Sequence, residues 1–248
     1  MVLKGWQQWG KEPELESRYN VERVRGNLPE MESTKQLVKL ISEVYKPDMR
    51  VLDVGCNVGH YLIGLRKKFS DLDYTGVDAY EYYINIAKKA FGNDPHAHFS
   101  VRDIFEPLYP DNPFDIVFCC NVILHLPDFR KPVTNLLAST KQVCFIRTLL
   151  AKNTNIVKSP LSDNFDEEGN PLDYWYLNTW KKEYFINFVK KLGWNIELVT
   201  DEFDTSAIRQ EYAKVKINEL DKATRIVGGK QVIENVLCNW VWVRITKD

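Results

Sequence analysis

The stretch VLDVGCNVGH, residues 51–60, sets a carboxylate, Asp53, inside a strand-like apolar run and follows it with glycines at 55 and 59. A Val-rich run of this kind reads as a strand covered on both faces, as in parallel sheets. A glycine turn leading from such a strand into a helix brings backbone N–H groups and a helix N-terminus close to a ligand. Two features separate this turn from the dinucleotide fingerprint GxGxxG. Asn57 holds the middle position, and His60 stands where the third glycine belongs. A pyrophosphate would also be repelled by the neighbouring acid, whereas a ligand carrying positive charge would be attracted.

Outward from this stretch, strands and helices alternate. Strands are expected at RVLDVGCN (50–57), LDYTGVDA (72–79), HAHFSVRDI (96–104), PFDIVFCCNVIL (113–124) and KQVCFIRTLL (141–150). Between them, helical spacing groups Leu62, Leu65 and Phe69, then Tyr83, Ile86, Ala87 and Ala90, then Phe129, Val133, Leu136 and Leu137, with Asp128 as N-cap of the last helix. This rhythm implies right-handed crossovers and a doubly wound, mostly parallel sheet with ligands at the carboxyl ends of the strands. Two further strands, WNIELVTDEF (194–203) and NWVWVRIT (239–246), bring the expected count to seven.

Other segments decorate this α/β core. An amphipathic helix at 29–45 ends an N-terminal arm (1–46) that covers the cleft, and the main domain occupies 47–248. Insertions follow the fifth strand (152–178) and the sixth (204–234), the second with a helix near 206–220. Between the insertions, TWKKEYFINFVKKLG (179–193) gathers Trp180, Tyr184, Phe185, Phe188, Val189 and Leu192 on one helical face.

The 33 basic and 34 acidic residues nearly cancel, which argues against broad electrostatic binding to duplex nucleic acid or anionic membrane. No apolar run reaches the about 18 residues of a membrane span. The first twenty residues lack a signal-peptide core and are too acidic for a transit peptide, so a soluble, cytoplasmic chain is expected. The five cysteines show no metal spacing, and four lie in or beside apolar strand-like runs, where cysteine behaves as a small hydrophobe.

VLDVGCNVG followed by YTGVDAY, VRDI and FDIVFCCNVILHLPD resembles, in four motifs and in their order, the class I S-adenosylmethionine-dependent methyltransferases with their Rossmann-like fold. The resemblance is clear over about residues 50–150 and weaker through the last helix and strand pair. It implies S-adenosyl-L-methionine as cofactor and S-adenosyl-L-homocysteine as product. It places the methionine part against Asp53 and the turn Gly55, Cys56, Asn57 and Gly59, with the ammonium near Asp53. It further implies that Asp78 receives the ribose hydroxyls, flanked by Ala79 and Tyr80, that Asp103 binds the adenine amino group under Ile104, and that Asn121 lies beside the sulfonium. Asn57 departs from the common glycine but tolerates positive φ. On this reading three carboxylates share one rim of the sheet and receive a cationic conjugate.

Methyl transfer needs a general base only when the acceptor must lose a proton. His125 is the one histidine near the expected cleft, either as that base or as a structural residue between strand and helix. Arg147 either meets an acidic group on the acceptor or pairs with the acidic run at 166–168. The resemblance sets the loop after the fifth strand over the site, so Tyr174, Trp175, Tyr176 and Asn178 are substrate candidates, with Trp6, Trp9 and Tyr19 from the arm. The expected function is methylation, at oxygen, of a small-molecule acceptor or modest conjugate, without nucleic acid. The alternatives are a tRNA or other nucleic-acid methyltransferase, a nicotinamide-dependent oxidoreductase, and a binding module keeping the fold without catalysis.

Overall fold

The computed structural model describes residues 10, 13–160, 165–172, 174–202, 225–227, 230–233 and 236–247. The apolar runs form β1 (Arg50–Val54), β2 (Asp73–Asp78), β3 (Ala97–Val101), β4 (Phe114–Cys120) and β5 (Thr140–Ala151). Two late strands, β9 (Asn195–Thr200) and β13 (Trp240–Thr246), complete the sheet in the order β3-β2-β1-β4-β5-β13-β9. The first five strands run parallel, and β13 lies antiparallel between β5 and β9. The expected mostly parallel, doubly wound sheet is therefore present. The two-residue β8 (Trp180–Lys181) adds to the end of β5.

Period-two alternation divides the strands between two apolar layers. Leu52, Val117, Cys144 and Ile146 face α5 (Arg130–Ala138) and α6 (Lys182–Lys191), whose Phe129-flanked start, Val133, Phe185 and Val189 fill that side. Val51, Ile116, Phe118 and Phe145 face α2 (Glu32–Ser42), α3 (His60–Lys68) and α4 (Glu81–Phe91) through Leu37, Leu62 and Ile84. Helix α2 is thus a full member of one core layer. Its Gln36 is fixed by three bonds: Nε2 donates to the Thr200 carbonyl (2.7 Å), and Oε1 accepts from Trp242 Nε1 (2.8 Å) and Glu202 N (2.9 Å). Helix α1 (Pro13–Val24) lies outside this layer and packs on α3 and α4.

Several boundaries differ from expectation for local reasons. β4 stops at Cys120 because Asn121 turns into the left-handed region (φ 60°), and Ile123–His125 form a single 3₁₀ turn. Phe129, not Asp128, stands at the N-cap of α5, although Asp128 Oδ1 still accepts the Arg130 N–H (2.7 Å). The inward stripe of α4 runs through Tyr83, Ile84 and Ala87, leaving Ala90 outside. On α6, Tyr184 and Leu192 are exposed. The 152–178 insertion pairs β6 (Lys158–Pro160) with β7 (Tyr174–Tyr176), and a three-stranded meander, β10 (Arg225–Val227), β11 (Lys230–Ile233) and β12 (Val236–Cys238), precedes β13. The helix expected near 206–220 falls outside the described residues, as do Trp6 and Trp9.

Candidate active site

The carboxyl ends of β1, β2 and β4 open into a cavity of about 370 Å³, within the ~300–1,000 Å³ usual for small-molecule sites. Its shape depends on backbone that few side chains allow. Gly55 has φ +81°, and a Cβ there would lie 2.3 Å from Val122 Cγ2. Gly59, at the N-cap of α3 with φ +78°, would press a Cβ to 2.9 Å from Phe99 Cε1. Asn57 (φ 51°) and Asn121 (φ 60°) adopt the same left-handed region, and both line the cavity. Non-glycine residues held there cost about 1–3 kcal/mol each and cluster at functional sites.

Asp78, at the end of β2, lines one end of the cavity with Ala79, Tyr80 and Ile104. Its Oδ2 accepts the Asn57 N–H (2.9 Å) and its Oδ1 the Tyr80 N–H (3.0 Å). A carboxylate offers about four lone-pair positions, so acceptor capacity remains for a ligand's hydroxyls. Burial raises the Asp78 pKa to about 6 against the lowering effect of these backbone bonds, which keeps it ionised at neutral pH.

Asp53 and Asp103 are placed differently from expectation. Alternation turns Asp53 toward the layer beneath α3, where it is 1% exposed, and Tyr74 Oη donates to its Oδ2 at 2.6 Å. Burial, opposed by that bond and aided by the nearby Asp78 charge, pushes its pKa up to about 8. It is not among the lining residues and is neutral at pH 7. Asp103 caps the turn after β3 by accepting the Phe105 N–H (2.9 Å), while Arg102 and Ile104 on either side reach the cavity. Of the three carboxylates, Asp78 is the one among the lining residues. Within the turn, Gly55 and Asn57 line the cavity, but Cys56 is fully buried and Gly59 packs toward Phe99.

His125 also lines the cavity. Its Nδ1 lies 2.8 Å from the Tyr176 carbonyl, an acceptor, so Nδ1 carries the proton and Nε2 the lone pair. Burial lowers its pKa to about 4, against the raising effect of that carbonyl.

The remaining substrate candidates are not among the lining residues. Asn178 is fully buried and donates from Nδ2 to the Leu126 carbonyl (2.8 Å), while its Oδ1 accepts the Val157 N–H (3.1 Å). Trp175 packs in a small third core with Leu124, Leu149 and Val236. Tyr174 lies under the Lys158 ammonium (3.5 Å to the ring centre), and Tyr19 is exposed. Arg147 does not pair with the acidic run at 166–168. It binds Asp201 through Nε (2.6 Å) and a terminal nitrogen (3.2 Å), with both side chains at most 5% exposed.

Sequence reasoning missed much of the lining: Asn20, Met31, His60, Gln231, Ile233 and Trp240. His60 is 7% exposed, and its Nδ1 finds no partner among the described residues. Burial and the Arg23 charge lower its pKa to about 3. The glycine pair at 228–229 between two apolar runs was a hairpin signal that would have placed Gln231 and Ile233.

A glycine-shaped approach, an ionised acid at the second strand end and an unsatisfied buried imidazole nitrogen beside the turn together fit an elongated ligand with polar groups at both ends. Comparison with known proteins points the same way. Residues 27–195 match a family profile described as a methyltransferase domain. Phosphoethanolamine N-methyltransferase 3 of Arabidopsis thaliana is 35% identical over 99 residues, 40% of this chain and 20% of that protein. The tRNA U34 carboxymethyltransferase of Tolumonas auensis is 29% identical over 198 residues, 73% of this chain and 57% of that protein. The chain spans about a fifth of the length of the phosphoethanolamine enzymes it matches. Among solved structures, the plantazolicin methyltransferase BpumL in complex with a triazolic desmethylPZN analog and SAH superposes with a TM-score of 0.58 at 15% identity, covering 98% of this chain and 95% of that one. The [4+2]-cyclase SpnF gives 0.57 at 19% identity, covering 86% and 80%. At such identities these structures speak for the fold alone.

Proposed function

The chain belongs to the S-adenosylmethionine-dependent methyltransferase domain family, and from that premise we propose that it transfers a methyl group to an oxygen of a small-molecule acceptor. The observation carrying this reading is that Asp78 and His125 line one and the same cavity. Asp78, Ala79, Tyr80 and Ile104 would hold the adenosine part of the cofactor. Gly55, Asn57, Asn20 and His60 would hold the amino-acid part, and Asn121 lies between the two ends. When bound, the cofactor supplies a methyl carbon already activated by positive sulfur.

The protein's own work is then alignment, exclusion of water and handling of one proton. Alignment of nucleophile and methyl supplies up to ~7–11 kcal/mol in favourable cases. His125, neutral and with its lone pair on Nε2, accepts the hydroxyl proton as the oxygen attacks. The cavity wall is mostly apolar, and Leu124, Leu126 and Ile123 are buried around His125, which supports a dry reaction centre. A small acceptor is favoured over tRNA because, among the described lining residues, Arg102 is the sole Lys or Arg and sits at the adenosine end.

Replacing Asp78 by alanine removes charge-assisted hydrogen bonds worth ~1.5–3 kcal/mol, so titration calorimetry should show S-adenosylhomocysteine binding about 10–100-fold more weakly. Because protonation of Asp78 abolishes the same interaction, wild-type affinity should also decline as pH falls through about 6. Unchanged affinity in the variant takes Asp78 out of the site.

A further inference from the structure

We propose that the acceptor is an uncharged molecule carrying a carbonyl oxygen near its reacting hydroxyl, received by the two carboxamide donors of Asn121 and Gln231; this rests on the methyltransferase reading above. The orientation of both amides follows from their partners. Arg147 donates to Asn121 Oδ1 at 2.7 Å, and a guanidinium can only donate. The Asn121 nitrogen is therefore the opposite end of the amide, and no described residue supplies it with an acceptor. Trp240 Nε1 donates to Gln231 Oε1 at 2.6 Å, and an indole N–H can only donate. Gln231 likewise keeps its NH₂ end for something else. The two orienting residues are stacked on one another, with the Arg147 guanidinium carbon 4.0 Å from the Trp240 ring centre. Both carboxamides line the cavity together with His125, Leu124, Ile233 and Trp240 itself.

The charge of Arg147 does not reach the ligand as charge. It is consumed in the bidentate pair with Asp201, and what reaches the cavity is an amide dipole fixed in direction. Two neutral donors and an apolar wall suit a neutral carbonyl. A carboxylate or phosphate would be stripped of water there without a counter-charge from any described residue at that end, a costly transfer. Such a site discriminates against acidic acceptors of the same shape. Arg147 and Trp240 act here as positioning residues.

The test uses the full chain. Calorimetry with S-adenosylhomocysteine comes first, since a protein that does not bind it fails the methyltransferase reading, and this inference with it. On the saturated protein, ortho-hydroxyacetophenone, its carboxylate counterpart salicylate, and phosphoethanolamine are compared by ligand-observed NMR titration. The neutral ketone is expected to bind at least about tenfold more tightly than either anion, and Gln231→Leu is expected to erase most of that preference without altering S-adenosylhomocysteine affinity. Equal or tighter binding of salicylate or phosphoethanolamine, or a preference untouched in Gln231→Leu, overturns the proposal. Absence of ketone binding at millimolar concentration does the same while leaving the methyltransferase reading standing.

Discussion

Replacing His125 by alanine is expected to lower turnover on a hydroxyl acceptor by about 10²-fold, the lower end of what a positioned base contributes. The low end is chosen because a base is most effective when its pKa lies near the working pH, and burial holds His125 at about 4. The same value fixes the pH dependence. His125 is neutral and competent from pH 8 down to about 5, so with the cofactor kept saturating, kcat/KM on an acceptor that does not itself titrate should be flat there. It should fall as the imidazole protonates through about 4. Cofactor affinity should be intact in His125→Ala, since the imidazole is not among the residues proposed to hold the cofactor and is anchored on the Tyr176 carbonyl. A loss smaller than about fivefold would reassign His125 to a structural role and point to an acceptor, such as a neutral amine, that needs no base.

A second large effect concerns stability. The Asp53 carboxyl, enclosed beside Tyr74, has a pKa near 8 in the folded chain against 3.8 for the free group. Below about pH 4 both folded and unfolded chains hold this proton, and the favourable burial of the neutral acid is fully present. Between about 4 and 8 the unfolded chain releases the proton while the folded chain retains it, so stability is lost as pH rises until the folded carboxyl also ionises. One pKa unit corresponds to about 1.4 kcal/mol, and the part of the displacement lying between pH 5.5 and about 8 amounts to ~3 kcal/mol. Asp53→Asn keeps an acceptor for the Tyr74 hydroxyl and has no proton to lose. Urea unfolding of both proteins at pH 5.5 and 8.5 should show the variant gaining about 2–3 kcal/mol relative to the parent at the higher pH. Parallel behaviour of the two would mean that Asp53 is ionised in the folded state.

The contrast between these acids shows what the sequence makes readable. The apolar runs at 51–54 and 116–120, the glycines and the order of motifs carry the sheet and the location of the ligand end, because periodicity and turn chemistry are local properties. The direction of Asp53 is not local. It depends on which layer lies beneath that pleat and on a tyrosine 21 residues later, on the next strand. Arg147 makes the same point, since its partner Asp201 comes 54 residues later and no spacing rule joins them. In the insertion at 152–178 an aromatic cluster serves equally well as a ligand platform or as a small core. Here Trp175 joins the core, while the carbonyl of Tyr176 orients His125. Backbone groups of that kind leave no mark in a sequence.

Helix α1 ends at Val24, ahead of residue 27 where the family profile begins, yet its Asn20 is part of the cavity wall and donates to Asn57 Oδ1 at 3.3 Å. The recognisable catalytic scaffold and the working chamber therefore have different borders. Trimming the protein back to residues 27–195 would strip β9 and β13 from the sheet and take Asn20, Gln231 and Trp240 out of the chamber wall, and affinities measured on such a fragment would describe a different vessel.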